Sequence, residues 1–190
     1  VSRLMEFKHL MASEKDILAG TISIPWGSEA TWKFVKNIRD AIKVIGGNYG
    51  HWRLFVDQDK KGVIQDLFRN LPYCTVHEVS ERYIPSLVKS RVAIVYGGYN
   101  SLSDILAAGI PAVVLLRDLI DREQQTHLER LLPFIKEYVS FLPESNTDSR
   151  SLQQALEKQL HAPPWQNEIV NMQGAELAAL TLAEGIACEE

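Results

Sequence analysis

Residues 92–130, VAIVYGGYNSLSDILAAGIPAVVLLRDLIDREQQTHLER, decide the fold. Val92 to Val95 is an almost unbroken β-branched run without polar alternation, as in a central strand buried on both faces. Gly97-Gly98 breaks it. Helical spacing follows from Ser101 to Ala108, and Gly109-Ile110-Pro111 ends it before a second apolar strand, Ala112 to Leu116. A long helix is then expected over Asp121 to Tyr138, with Leu128, Leu131, Leu132 and Ile135 turned inward. Strand, helix, strand, helix in this order gives a parallel sheet, because parallel neighbours need crossover connections rather than tight hairpins.

The alternation extends in both directions. Upstream, a strand within Ile17 to Ile24 precedes a helix whose Trp32, Val35, Ile38, Ala41, Ile42 and Ile45 share one face and which stops at Gly46-Gly47-Asn48. Trp52 to Val56 and Cys74 to Val76 read as strands, Val63 to Asn70 and Tyr83 to Lys89 as helices. Downstream, Val139 to Leu142 is a last strand, Glu144 to Arg150 a polar loop and Ser151 to Leu160 a helix. The fold class is therefore α/β: a Rossmann-like, doubly wound parallel sheet of about six strands, in one domain over residues 17–160. Residues 1–16 read as an irregular start or interdomain linker. Residues 161–190 read as a linker and an Ala/Leu-rich helix from Gly174 to Ala187, whose Leu177, Leu180, Leu182 and Ile186 suit core or interdomain packing.

With 190 residues, 46% of them apolar, the chain can bury one sizeable core and is too short for two full domains. Its 24 acidic and 20 basic residues include no dense Lys/Arg cluster, which argues against nucleic acid or an anionic membrane recruited by charge. No apolar run reaches the roughly 18 residues of a membrane span, and the start Val1-Ser2-Arg3-Leu4-Met5 lacks signal-peptide form. A soluble, cytoplasmic protein is expected. The missing initiator methionine suggests an excised domain. Cys74 and Cys188 are far apart and form no metal pattern, and His9, His51, His77, His127 and His161 have no ligand spacing, so neither metal nor cofactor is expected. His77, at a strand end, is read as packed or solvated rather than functional.

In an open parallel sheet, ligands sit beyond the carboxyl ends of the strands. Three turns there carry chemistry. Gly97-Gly98-Tyr99-Asn100-Ser101 leads from the central strand into a helix, whose unpaired amides and positive end suit a phosphate; equally, it is a tight turn with Ser101 as N-cap. Pro25-Trp26-Gly27-Ser28 offers a second amide set after the first strand, or an ordinary cap. Asp121-Arg122-Glu123-Gln124-Gln125 opens the long helix with groups able to read hydroxyls. Asp121 with Gln124, and Ser101 with Asp104, also satisfy a capping box, a complete local explanation.

The ordered combination resembles a family. Strand, Gly-Gly, a Ser-rich helix start, an acidic residue six positions on, Ala-Ala-Gly-x-Pro, a strand and an acidic/Gln pair are similar to the C-terminal domain of GT-B glycosyltransferases. The closest group is that of the peptidoglycan UDP-GlcNAc transferase, and in looser form the resemblance covers about residues 17–160. It implies a domain that binds a nucleotide-diphosphate sugar, UDP favoured, with no metal. Gly27, Ser28, Gly98, Asn100, Ser101 and the amide of Leu102 would meet the diphosphate. Asp104 would hold the ribose, Glu123 and Gln124 the sugar, and the backbone near Val79 the base. Two departures stand out: Asp104 is one methylene shorter than the family's glutamate, and Pro25-Trp26 replaces small glycine-rich residues. No catalytic residue is expected in this chain, since the base and acceptor site of the family come mainly from an N-terminal domain, here missing or supplied by a partner chain. Rival readings are a GT-B-like nucleotide-sugar hydrolase or epimerase, and a noncatalytic nucleotide-binding module.

Overall fold

A computed structural model describes residues 17–24, 29–117, 130–163 and 165. The Val92–Val95 run lies in a strand, β4 (Ser90–Tyr96), buried on both faces: Val92, Ile94 and Tyr96 face one core cluster, Ala93 and Val95 another. β5 (Ala112–Leu116) repeats the pattern, with Val113 and Leu115 on the first face and Ala112 and Val114 on the second. Neither strand has a polar side to present to water, so helices must cover both faces of the sheet.

Around this pair run β1 (Leu18–Ile24), α1 (Glu29–Ile45), β2 (His51–Val56), α2 (Lys61–Phe68), β3 (Cys74–Glu78) and α3 (Tyr83–Val88), all before β4. After β4 come α4 (Tyr99–Ala108), β5, helical residues 130–135, β6 (Val139–Pro143) and α5 (Ser149–Leu160). The six strands are all parallel, in the order β3-β2-β1-β4-β5-β6. The expected α/β class, the parallel pairing and the strand count are all found. From β3 the chain crosses back through α3 to lay β4 beside β1, and the sheet then grows the other way. In open parallel sheets, ligands sit at the carboxyl ends of the strands where the order reverses, which here is at β1 and β4.

α1, α2 and α5 cover the first face, and α3, α4 and the 130–135 helix the second. α1 follows its amphipathic pattern: Val35, Ile38, Ala41, Ile42 and Ile45 are buried with Phe34, and the helix ends at Gly46, whose φ of 71° is the left-handed conformation glycine adopts freely. One inward assignment fails. Leu131 packs on the core and Ile135 is fully buried, but Leu132 is 37% exposed. It lies about 100° around the helix from Leu131, off the inward face. Leu128 and the terminal helix 174–187 lie outside the described residues. α5 starts two residues before the expected Ser151, because Asp148 caps it: its Oδ1 accepts from the Ser151 amide at 2.7 Å, and Ser151 Oγ accepts from the Asp148 amide at 3.0 Å.

Candidate functional site

β1 and β4 are hydrogen-bonded neighbours, with Ile22 opposite Ile94. Each is followed by a helix, α1 and α4, one on either face of the sheet. Both helices therefore begin at the same sheet edge, at the point where strand order reverses. Of the first turn, Gly27 and Ser28 lie outside the described residues, as do Glu123 and Gln124.

The second turn is fully described, and its two glycines differ. Gly97 extends the sheet by donating to Leu115 O at 2.8 Å, and a Cβ there would meet Leu116 Cδ2 at 2.9 Å and Leu115 O at 3.3 Å. Packing explains it. Gly98 has extended backbone, φ −71° and ψ 151°, and a Cβ there would meet nothing within 4 Å. Neither conformation nor packing among the described residues demands glycine at 98.

Gly98 is also the N-cap of α4. This corrects the local reading of Ser101: α4 starts at Tyr99, so Ser101 sits inside the first turn, and no Ser101/Asp104 capping box closes the helix end. Helix geometry gives the amides of Asn100 and Ser101 no acceptor four residues back. The Leu102 amide already donates to Gly98 O at 3.0 Å, so it is engaged within the helix rather than open to a ligand.

Asp104 is half-buried on α4, and burial pushes its carboxyl above the usual carboxylate range. Tyr83 of α3 lies close enough for that carboxylate to help raise its phenol, after burial, the main cause. Val79 is 57% exposed just past β3, its amide donating to Val56 O at 3.1 Å. It shares the carboxyl edge with α4 but stands three strands from β4, roughly 14 Å at normal strand spacing.

Sequence reasoning missed Tyr96, whose signal is an aromatic closing an otherwise aliphatic strand. Its hydroxyl donates to Glu144 Oε1 at 2.8 Å, its ring lies edge-on to Phe34 at 6.2 Å, and the Arg117 guanidinium sits 5.3 Å from the ring centroid. Thr31, buried in the first turn of α1, is beside the hydroxyl. Burial first, then the Glu144 carboxylate, push the phenol above its usual range, partly offset by Thr31 and Arg117. One side chain thus ties the ends of β4, β5 and β6 to the start of α1.

His77 behaves as a packed histidine: it stacks on Phe55 with 5.6 Å between centroids, and its Nε2 is 3.0 Å from Thr75 Oγ1. Among the described residues no group of three His, Cys, Asp or Glu side chains is placed to hold a metal ion, and no helix is long and apolar enough to cross a membrane.

No family model and no curated protein matches the sequence. Solved structures do match the fold. The chain is similar to the glycosyltransferase of kitacinnamycin, with TM-score 0.61 and 13% identity, over 83% of this chain and 38% of that one. It is similar to MurG of Acinetobacter baumannii with TM-score 0.55 and 16% identity, over 85% and 49%. It is similar to the UDP-GlcNAc 2-epimerase of Methanocaldococcus jannaschii with TM-score 0.60 and 12% identity, over 97% and 50%. The fold is therefore that of a GT-B half-domain, and the chain spans half or less of the length of these proteins. MurG does not stand above the other two, so the likeness reaches GT-B architecture and not the narrower peptidoglycan group.

Proposed function

We propose that this chain is the donor-binding half of a metal-independent glycosyltransferase and seats a UDP-sugar at the carboxyl edge of β1 and β4. The observation that carries this reading is Gly98: a glycine that neither backbone conformation nor packing among the described residues demands, at the N-cap of a helix that starts at the carboxyl edge of the central strand. Two linked phosphates would lie against Gly98, Asn100 and Ser101, joined by Gly27 and Ser28. Asp104 would accept from the ribose hydroxyls, Val79 would flank the base, and Glu123 and Gln124 would hold the sugar. In transfer, the bond from the sugar's anomeric carbon to the diphosphate oxygen breaks, an acceptor oxygen bonds that carbon, and negative charge gathers on the departing diphosphate. Helix amides and the positive helix end stabilise that charge. The base that takes the acceptor's proton comes from a second domain or partner chain. The proposal includes a cytoplasmic setting; Cys74 is a free thiol that burial pushes up to about 12, which keeps it protonated at neutral pH.

The likeness to the epimerase, over 97% of this chain, supports a second reading in which the same cradle serves a nucleotide-sugar epimerase or hydrolase. Acceptor-dependent product formation separates the two once the other half is present.

Calorimetry with UDP tests the donor reading. Asp104→Asn is expected to weaken UDP about tenfold or more, as loss of a charge-assisted hydrogen bond does, while pyrophosphate binding stays unchanged. Ribose hydroxyls favour the ionised carboxylate, so UDP affinity should fall as pH drops through the raised Asp104 pKa, starting above the range of an ordinary aspartate. Asp104→Asn should lack that limb. Equal UDP affinity in the variant at every pH would remove Asp104 from the site.

A further inference from the structure

A cationic cavity lies away from Gly98, on the face of β2 and β3 that α3 covers. Arg53 and Phe55 of β2, His77 of β3, and Arg82 and Ser86 around α3 line a space of about 230 Å³. Its aromatic wall is fixed: Phe55 is fully buried, His77 stacks on it, and the Tyr83 ring meets it edge-on at 5.5 Å. Its polar groups are held by neighbours. Arg53 Nη1 donates to Ser86 Oγ at 3.0 Å, Ser86 Oγ donates to Arg82 O at 2.8 Å, and Thr75 Oγ1 fixes His77 Nε2.

The cavity has charge of one sign. The ion pairs among the described residues are Arg39–Asp40, Lys60–Asp59 and Lys61–Glu78, and neither Arg53 nor Arg82 belongs to one. Glu78 follows His77 in β3, so strand alternation turns it to the opposite face, where Lys61 holds it at 3.0 Å. His77 is held below the usual imidazole range, first by burial and then by the charges of Arg53, Arg82, Lys61 and His51. Two guanidinium groups from separate elements, with no carboxylate among the lining side chains, form a receptor for an oxyanion, and an Arg fork matches phosphoryl oxygens in two-point geometry.

We propose that the Arg53–His77–Arg82 cavity binds a phosphoryl group, separately from the diphosphate cradle at Gly98. The test uses the full chain, titrated with inorganic phosphate and with phenyl phosphate while the arginine Nε–H resonances are followed, against sodium chloride at matched ionic strength. Saturable shifts of the Arg53 and Arg82 signals with phosphate and not with chloride are expected. Tighter binding of phenyl phosphate identifies a phosphate monoester as the ligand class; tighter binding of inorganic phosphate identifies the free ion. Arg82→Gln, at an exposed position, should weaken phosphate about tenfold and leave UDP affinity unchanged. Arg53→Gln should do the same, and the exposed variant keeps the test valid should Arg53→Gln not fold. Chloride reproducing the shifts, or Arg82→Gln binding phosphate as the parent does, would overturn the proposal. Loss of UDP together with phosphate in Arg82→Gln would overturn the separation of the two sites. Loss of UDP in Gly98→Ala with phosphate binding intact would support it.

Discussion

Alanine at Gly20 is expected to cost about 3 kcal/mol, the upper end of ordinary overpacking, and valine to leave no cooperative unfolding transition in urea. Gly20 lies in β1 between Trp52 of β2 and Val92 of β4. A Cβ there would sit 2.5 Å from Trp52 Cζ3, 2.8 Å from Cε3 and 2.9 Å from Val92 O. None of these can yield easily: Trp52 is fully buried, and the carbonyl belongs to the central strand. A glycine in a buried strand normally weakens it, so its presence here reflects the close approach of a large ring. Gly62→Ala is the control, since a Cβ at that helical position meets nothing within 4 Å and should hold or raise stability. A Gly20→Ala midpoint close to the parent's would mean that the Trp52 ring has an alternative seat.

The second large effect is on binding. Gly98→Ala is expected to change stability by no more than about 1 kcal/mol, since the backbone there is extended and a Cβ is unopposed. UDP affinity should nevertheless fall at least about tenfold, because the methyl group occupies the approach to the first-turn amides. Such a split between folding and binding is what a ligand-facing glycine predicts and a structural one does not. If Gly98→Ala binds UDP as the parent does, glycine at 98 has no role in the donor site.

What the sequence conveyed follows from how local each determinant is. β4 and β5 were legible because unbroken aliphatic runs have one stable home, the centre of a parallel sheet, and α1 because its apolar stripe keeps helical period over four turns. The start of α4 was not legible. Ser101 and Asp104 match a capping box, yet the chain turns helical two residues earlier, where the extended Gly98 follows the end of β4, and residue identity does not encode that geometry. Tyr96 and Glu144 are 48 residues apart, so no sequence window contains their bond. The Arg53–Arg82 cavity is hidden in the same way: polar residues alternate along β2 and β3, which reads as weak strand signal until α3 folds over them. Of the candidate donor residues, Gly98, Asn100 and Ser101 begin one helix and Asp104 lies one turn further along it, while Val79 shares only the sheet edge.

The central claim is that the first turn of α4 receives a diphosphate. Amide chemical shifts recorded during a UDP titration test it most directly. The Asn100 and Ser101 amides should shift in a saturable way and share one dissociation constant with Asp104, while those of the α5 first turn stay still. Saturable UDP binding that leaves Asn100 and Ser101 unmoved would contradict the account.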